Sequence, residues 1–341
     1  MGGIGVMTGF AAWVEGIRRV WRAPALLFGV WLATIAIGVP LAAVLRGMIV
    51  QQLRQSNVAE SVATGASGDW MQEFADQASG IGVTFKPTII GFGAVLDNLG
   101  AFLDNLPRPL VIVGAASAYI LIWIFLAGGL IDRVARNRPT GAHGFFSAAG
   151  VFFFRFLRLA IVQWIVYASL FGWLHPYLFN TVFPAMTRET TVERNAFVLR
   201  LALYLVFGVL LGLFNLLFDY AKVRAVVEDR RSMLGALNAA GRFLFRHGAA
   251  TRVYLLNVVV FAALVALYAV VAPGAGHSGL TMWLAVAIGQ IYIGARLWLK
   301  LVFWASETAL FQSRLAHRDY VAARQPAWPD SPAAEAIRYQ G

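Results

Sequence analysis

Long apolar runs, interrupted by short arginine-containing segments, dominate this chain. Six of the runs reach the length of about 20 residues that a helix needs to cross the hydrocarbon core of a bilayer. They cover approximately residues 25–45, 109–131, 157–179, 197–218, 253–273 and 280–301. The first run exceeds the apolar stretch of about 7–15 residues found in a cleavable signal peptide, so we interpret it as an uncleaved anchor. The pattern therefore predicts an all-α polytopic membrane protein with six transmembrane helices.

The composition excludes a water-soluble fold. Of the 341 residues, 59% are hydrophobic and 13% are charged, whereas a soluble domain carries about 25% charged residues. The mean hydropathy is +0.68. A soluble protein of this composition would present an apolar exterior to water, and lipid is the solvent that accepts such an exterior.

The net charge of +11 comes almost entirely from arginine, since Lys86, Lys222 and Lys300 are the only lysines among 28 basic residues. A strongly basic protein is often a nucleic-acid binder. Here the arginines cluster at the ends of the apolar runs, where topology signals and acidic lipid head groups place them. We therefore expect membrane lipids, predominantly anionic, as partners and no nucleic acid.

The placement of the basic residues also predicts the orientation of the chain. Arginine is abundant before span one, between spans two and three, between spans four and five, and after span six. Because basic segments stay in the cytoplasm, both termini are predicted to be cytoplasmic, and a bacterial inner membrane is the expected location. We assign residues 1–323 to one membrane domain and residues 324–341, with three prolines among alanines, to a disordered cytoplasmic tail.

The segment 47–108, between spans one and two, is predicted to lie outside and to contain an amphipathic helix. The sequence LDNL occurs at 96–99 and again at 103–106. At helical spacing this places leucines on one face and Asp97 and Asp104 on the other. The helix is expected to cap the outer end of the bundle, and a gate or partner surface is the alternative.

An internal repeat precedes the odd-numbered spans. Residues 148–155 read AAGVFFFR, residues 239–246 read AAGRFLFR, and residues 18–22 read RRVWR, a weaker third copy. Each copy predicts an amphipathic interfacial helix before spans one, three and five. The chain is then three parallel hairpin repeats, each an interfacial helix, an outgoing span and a returning span.

The AAG-x-F-x-F-R segments and the six-span layout over residues 1–320 resemble those of a broad group of poorly characterised bacterial six-helix membrane proteins. That group includes the membrane domain attached to some glycerophosphodiester phosphodiesterases. Their soluble phosphodiesterase domain has no counterpart in this sequence. The resemblance implies a membrane-embedded, non-catalytic role.

The candidate chemistry is a set of charged residues at the inner ends of the spans. Arg296 and Lys300 are four residues apart on one face of span six. Either they extend to the inner interface, or they hold a lipid phosphate or another anionic ligand inside the bundle. Asp219 at the end of span four and Glu307 after span six are candidate ion-pair partners.

Three further arginines are candidate ligands of lipid phosphate. Arg22, Arg155 and Arg246 each follow an aromatic residue in the repeat segments. An aromatic side chain at the interface with an arginine at phosphate level suits an anionic leaflet.

No catalytic, nucleotide or metal motif is present, and the absence of cysteine excludes thiolate chemistry. We therefore expect no cofactor and no metal, and an enzymatic role is the less favoured one. The leading hypothesis is a non-enzymatic protein that assists transport, or that holds lipid, a protein partner or a second copy of itself. The alternative is a small-substrate or lipid transporter, or a lipid-head-group enzyme, that uses the charge cluster. A polar cavity lined by that cluster would favour the alternative.

Overall fold

The structure, a computed structural model, describes residues 7–54, 58–63, 67–86, 88, 91–274 and 278–316. Six helices in these ranges are long and apolar enough to cross a membrane. The described ranges contain no strand. The predicted all-α polytopic fold with six spans is therefore confirmed. The predicted tail 324–341 lies outside the described residues.

The chain order of the helices follows the predicted spans, with additional short helices between them. They are α1 (Gly9–Trp21), α2 (Pro24–Leu53), α3 (Ala59–Ala63), α4 (Gly68–Gln77), α5 (Gly91–Leu103), α6 (Leu110–Arg136), α7 (Ala142–Ser169), α8 (Phe183–Thr187), α9 (Glu193–Val227), α10 (Met233–Arg246), α11 (Gly248–Val271) and α12 (Gly279–Ala316).

The helix of span three is longer than predicted. It continues from α7 through the π-helical turns Leu170–Leu174 and Tyr177–Val182 into α8, forming a rod of 46 residues from Ala142 to Thr187. At 1.5 Å per residue, the rod is about 70 Å long and exceeds the hydrocarbon core of about 30 Å. The predicted limits of 157–179 therefore cover only its central part.

The packed core surrounds the second half of α12. From Leu301 to Phe311 every residue except the half-buried Phe303 is buried. Helices α1, α2, α6, α9 and α11 all contact α12. By contrast, large apolar side chains such as Phe28, Leu205 and Val270 are exposed on α2, α9 and α11. Lipid tails are the environment in which such a surface is stable.

Helix α1 lies directly against α12. Its first turn is capped by Thr8, whose hydroxyl oxygen accepts a hydrogen bond from the backbone N–H of Ala11 at 3.2 Å. Gly16 faces α12 so closely that a Cβ atom at this position would lie 2.6 Å from the backbone nitrogen of Ser306. The absence of a side chain at Gly16 therefore sets the distance between the two helices.

The three repeat segments adopt two different arrangements. Helix α1 is separate from α2, which begins at Pro24, and α10 is separate from α11 because His247 leaves the helical conformation. Residues 148–155, however, lie inside the continuous helix α7 and form no separate helix before span three. No proline interrupts α7, and Phe152, Phe156 and Leu159 keep one buried face across the expected boundary.

The buried face of α10 consists mainly of small side chains. The buried residues are Met233, Ala236, Ala239, Ala240 and Phe243, while Phe245 is 96% exposed. Small alanine side chains allow α10 to pack closely on the bundle. Of its large apolar side chains, Leu234 and Phe245 are exposed, whereas Leu237 and Leu244 are partly buried against the core.

The segment 47–108 contains α5, which has no buried side chain. The helix covers the first LDNL copy and ends at Leu103, so Asp104 lies beyond it and does not share a helix face with Asp97 as predicted. Its end is fixed to span four through Asp104, whose carboxylate accepts hydrogen bonds from Arg200 Nη2 at 2.7 Å and from the Tyr204 hydroxyl. The hydrogen bond from Tyr204, together with the positive charge of Arg200, holds the pKa of Asp104 below its ordinary value. Asp104 therefore links the outer segment to the bundle as a carboxylate.

Candidate functional site

A cavity of about 880 Å³ lies between the spans, with side chains from α2, α6, α7, α9, α11 and α12 in its wall. Most of the wall is apolar or aromatic. Its charged members are three cations, Lys222 from α9 and Arg296 and Lys300 from α12. Arg296 lies about 25 Å along α12 from Gly279, so it falls within the span, towards the end near the packed core.

The ring of Trp304 contacts both lysines at the cationic end of the cavity. The Nζ atoms of Lys300 and Lys222 lie over its ring, at 4.9 and 5.7 Å from the centroid. The indole N–H of Trp304 donates to Asp219 Oδ1 at 3.1 Å. Cation–π contacts of this kind fix an ammonium group without neutralising it. The ring of Trp304 thus fixes the positions of the two lysines.

Asp219 is buried behind the cavity wall and pairs with Lys222, whose Nζ lies 3.0 Å from Oδ1. Asp219 therefore contacts α12 directly through Trp304, but the predicted ion pair with Arg296 or Lys300 is replaced by the pair with Lys222. Among the residues that the structure describes, no carboxylate oxygen lies within 4.0 Å of Arg296 or Lys300. The cavity consequently carries more positive than negative charge.

The hydroxyl and amide side chains of the wall are hydrogen-bonded. The hydroxyl groups of Thr34 and Tyr119 are 3.1 Å apart, and the Tyr167 hydroxyl donates to Asn215 Oδ1 at 2.6 Å. Gln163 Nε2 in turn donates to the Tyr167 hydroxyl at 3.2 Å. These bonds join spans one and two and spans three and four, so the cations are the groups left to attract a ligand.

Glu307 does not line this cavity. Its side chain is fully buried in the core, and neither carboxyl oxygen has a hydrogen-bond donor in the described structure. The predicted ion pair of Glu307 with Arg296 or Lys300 is not formed within 4.0 Å. Glu307 belongs to the packed core between α12 and the surrounding helices rather than to the ligand-facing wall.

The three arginines of the repeat segments have different surroundings. Arg22 is exposed at the end of α1. Arg155 is mostly enclosed, pairs with Asp229 at 2.6 Å and donates to the backbone carbonyl of Arg230. Arg246 is exposed and lines a small basic pocket beneath α10. The structure therefore brings Arg296 and Lys300 together, but it places these three arginines at separate positions outside the cavity.

No known protein family, curated protein or solved structure matches this chain. The resemblance to the six-helix membrane domains accordingly stays a prediction.

Two residues that complete the site, Lys222 and Trp304, cannot be recognised from local sequence alone. Lys222 lies in the basic segment between spans four and five, and Trp304 belongs to no motif. The spacing of Asp219 and Lys222, three residues apart on a helix, was the available indication of an ion pair. With Lys222 included, the cavity has a largely apolar wall and a cationic end. Such a lining suits a molecule with an apolar part and an anionic group.

Proposed function

We propose that this integral membrane protein binds an anionic amphiphile, such as an acidic phospholipid, in the central cavity and moves it within the bilayer. The observation that carries the proposal is the excess of cations in the cavity wall. Three basic side chains face the cavity, and one carboxylate, that of Asp219, pairs with one of them. Such a protein is a lipid transporter. The competing function is a scaffold that binds lipid without moving it.

The energetic cost of the cations supports a ligand-binding role. An arginine at the centre of a membrane helix costs about 2.5–3.5 kcal/mol on insertion scales. Arg296 and Lys300 lack a carboxylate within 4.0 Å among the described residues. A bound phosphate or carboxylate would supply the missing counter-charge through charge-assisted hydrogen bonds. Charged residues inside spans that face a cavity are characteristic of substrate pathways.

The shape and lining of the cavity favour an amphiphile over a small inorganic anion. A volume of about 880 Å³ is within the range of about 300–1,000 Å³ typical of ligand pockets. The wall around the cationic end is aromatic and aliphatic, with Trp123, Trp164 and Ile293 among its members. Such a wall stabilises an acyl chain or ring system rather than a hydrated ion.

Binding and movement are favoured over catalysis because the hydroxyl groups of the wall, those of Thr34, Tyr119 and Tyr167, are engaged in hydrogen bonds. No carboxylate, imidazole or serine hydroxyl among the described residues lines the cavity. A reaction on a lipid head group would therefore depend on a lysine as general base or nucleophile, and Lys222 is already paired with Asp219. The arginine-rich termini and loops support the proposed location in a bacterial inner membrane with both termini in the cytoplasm.

A lipid-movement assay tests the proposal. The protein is reconstituted into liposomes that contain fluorescent NBD-labelled phosphatidylglycerol, and dithionite added outside measures how fast the inner-leaflet label becomes accessible. We expect faster exposure than in protein-free liposomes. The double variant Arg296→Gln/Lys300→Gln should lose the acceleration by about tenfold or more, because each cation contributes on the order of 1 kcal/mol or more.

Two controls show whether lipid movement depends on the cavity and on the charge of the lipid. Arg188→Gln removes an exposed arginine outside the cavity wall and should behave like the original protein. NBD-labelled phosphatidylcholine, which has no net charge, should move more slowly than the acidic lipid. Tight binding of phosphatidylglycerol without movement would instead support the scaffold role. Equal rates with and without protein, and no binding, would contradict both.

A further inference from the structure

A second basic site lies on the face of the protein that carries α10, away from the central cavity. A pocket of about 210 Å³ is formed between α9, α10 and α12. Five guanidinium groups line it: Arg224, Arg230, Arg242, Arg246 and Arg314. Clusters of arginine with this density recognise phosphate or carboxylate groups.

Two of the five arginines are held in place by neighbouring groups. Glu228 accepts hydrogen bonds from both Arg224, at 2.7 Å, and Arg230. Arg224 also lies over the ring of Phe311 at 5.2 Å and donates to the backbone carbonyl of Ala239. One carboxylate is therefore shared by two arginines, which form a fixed wall of the pocket.

The other three arginines keep their charge. In the described ranges of the chain, no carboxylate oxygen lies within 4.0 Å of Arg242, Arg246 or Arg314. The Nε atom of Arg314 is buried and has no hydrogen-bond acceptor. Arg242 and Arg246 are exposed at the mouth of the pocket. The pocket thus presents an excess of positive charge and an unused, buried donor.

An apolar groove of about 360 Å³ begins at the same arginine. It runs between α10 and spans three and four, and its walls include Val162, Val166, Phe214, Leu217 and Phe245. Arg242 lines both the groove and the basic pocket. Gly241 lines the groove beside it, and a Cβ atom there would lie 3.8 Å from Leu217 Cδ1. The basic pocket and the apolar groove are therefore neighbours that share Arg242 in their walls.

We propose that the pocket and groove together form a binding site for an acidic phospholipid of the leaflet on the α10 side. The phosphate and head group occupy the pocket among Arg242, Arg246 and Arg314, and one acyl chain occupies the groove. Phe245, at 96% exposure, lies beside the groove where it inserts among neighbouring lipids. A soluble phosphate compound would share the head-group chemistry but would leave the groove unused.

Native mass spectrometry in detergent, with added lipid, tests this site. All proteins carry Arg296→Gln and Lys300→Gln, so that binding in the central cavity does not contribute and the two proposals fail separately. The parent protein should bind phosphatidylglycerol in preference to phosphatidylcholine. Arg242→Gln/Arg246→Gln should reduce binding of phosphatidylglycerol by about 25-fold, because each arginine near an acidic surface contributes about fivefold.

Substitutions of Gly241 distinguish a lipid from a soluble anion. Gly241→Ala places only a Cβ atom at an ordinary contact distance and should keep lipid binding. Gly241→Leu fills the groove and should abolish it while leaving the arginines in place. The matched control is Gly150→Leu, because a Cβ atom at Gly150 would have no neighbour within 4 Å. Thermal stability measured in parallel identifies any variant that fails to fold.

Two outcomes would overturn the proposal. In the first, Arg242→Gln/Arg246→Gln binds phosphatidylglycerol as tightly as the parent protein. In the second, inorganic phosphate displaces the lipid completely and Gly241→Leu binds as the parent does, which would assign the pocket to a soluble anion. Loss of lipid binding in both the arginine and the Gly241→Leu variants, with Gly241→Ala and Gly150→Leu unaffected, supports it.

Discussion

The buried pair of Asp219 and Lys222 provides a quantitative test of the charge balance at the cavity. The side chains are 7% and 16% exposed, and their charged atoms lie 3.0 Å apart. Asp219→Asn keeps an oxygen that accepts from Trp304 but removes the negative charge. The variant leaves Lys222 unpaired, and removing one partner of a buried pair typically costs about 3–5 kcal/mol. We expect a loss of unfolding free energy in that range.

Removing the other member of the pair, Lys222, should reduce the free energy of unfolding by less, because Asp219 keeps two of its favourable interactions. In Lys222→Met, Asp219 keeps its hydrogen bond from Trp304 and its attraction to Lys300. We expect a loss of about 1.5–3 kcal/mol, the range for a hydrogen bond to a charged group. The double variant removes both charges and should recover to within about 1 kcal/mol of the original protein, because neutral replacement of a buried pair is often tolerated.

Reversible unfolding in mixed detergent micelles, followed by tryptophan fluorescence, measures these three free energies. The cycle gives the coupling between the two side chains directly. If the double variant loses as much stability as the two single variants added together, the pair is not coupled and the reasoning is refuted.

Anion binding should change differently from stability in the same variants. Asp219→Asn raises the positive charge of the cavity although it destabilises the protein, whereas Lys222→Met lowers that charge. A unit charge about 8 Å from a ligand contributes about 2 kcal/mol at an effective dielectric constant of about 20. Phosphatidylglycerol should therefore bind more tightly to Asp219→Asn and less tightly to Lys222→Met. Equal affinities would show that the cations do not face the ligand.

Further predictions concern the core and the outer segment. Gly16→Ala places a Cβ atom 2.6 Å from the backbone of α12 and should cost about 1–3 kcal/mol in chemical unfolding, while Gly29→Ala, whose Cβ atom would have no neighbour within 4 Å, should cost nothing. Glu307→Met should keep or raise the free energy of unfolding, because the buried carboxyl group it replaces receives no hydrogen bond; a large loss would reveal a partner. Asp104 has a lowered pKa, mainly through Tyr204, so its stabilising effect should be complete above the ordinary value of 3.8 and disappear as the pH falls through the lowered value. Thermal unfolding between neutral and acid pH measures this, and Asp104→Asn should lose that part of the acid dependence.

The spans could be predicted from the sequence because their signal is local. A run of about 20 apolar residues is sufficient to identify a membrane helix, and all six runs correspond to helices of the structure. Arg296 and Lys300 were recognised because basic residues inside a span are rare. Their common face follows from their spacing of four residues.

The parts that sequence reasoning missed depend on contacts between distant segments. Asp219 pairs with Lys222 on its own helix, and its hydrogen bond to α12 comes from Trp304 rather than from Arg296 or Lys300. The separate helix expected over residues 148–155 is absent because its buried face continues into span three. Periodicity gives the faces of a helix but not the neighbour that each face meets, so it does not show that α10 buries Ala236 and Ala240 while Leu234 stays exposed.

The most direct test of the central cavity is a cryo-EM structure of the protein in nanodiscs that contain phosphatidylglycerol. The account predicts elongated density in the cavity, with its strongest feature within hydrogen-bonding distance of Arg296 and Lys300. The same density should be missing from the Arg296→Gln/Lys300→Gln variant. An empty cavity in the original protein, or density that avoids the two cations and persists in the variant, would contradict it.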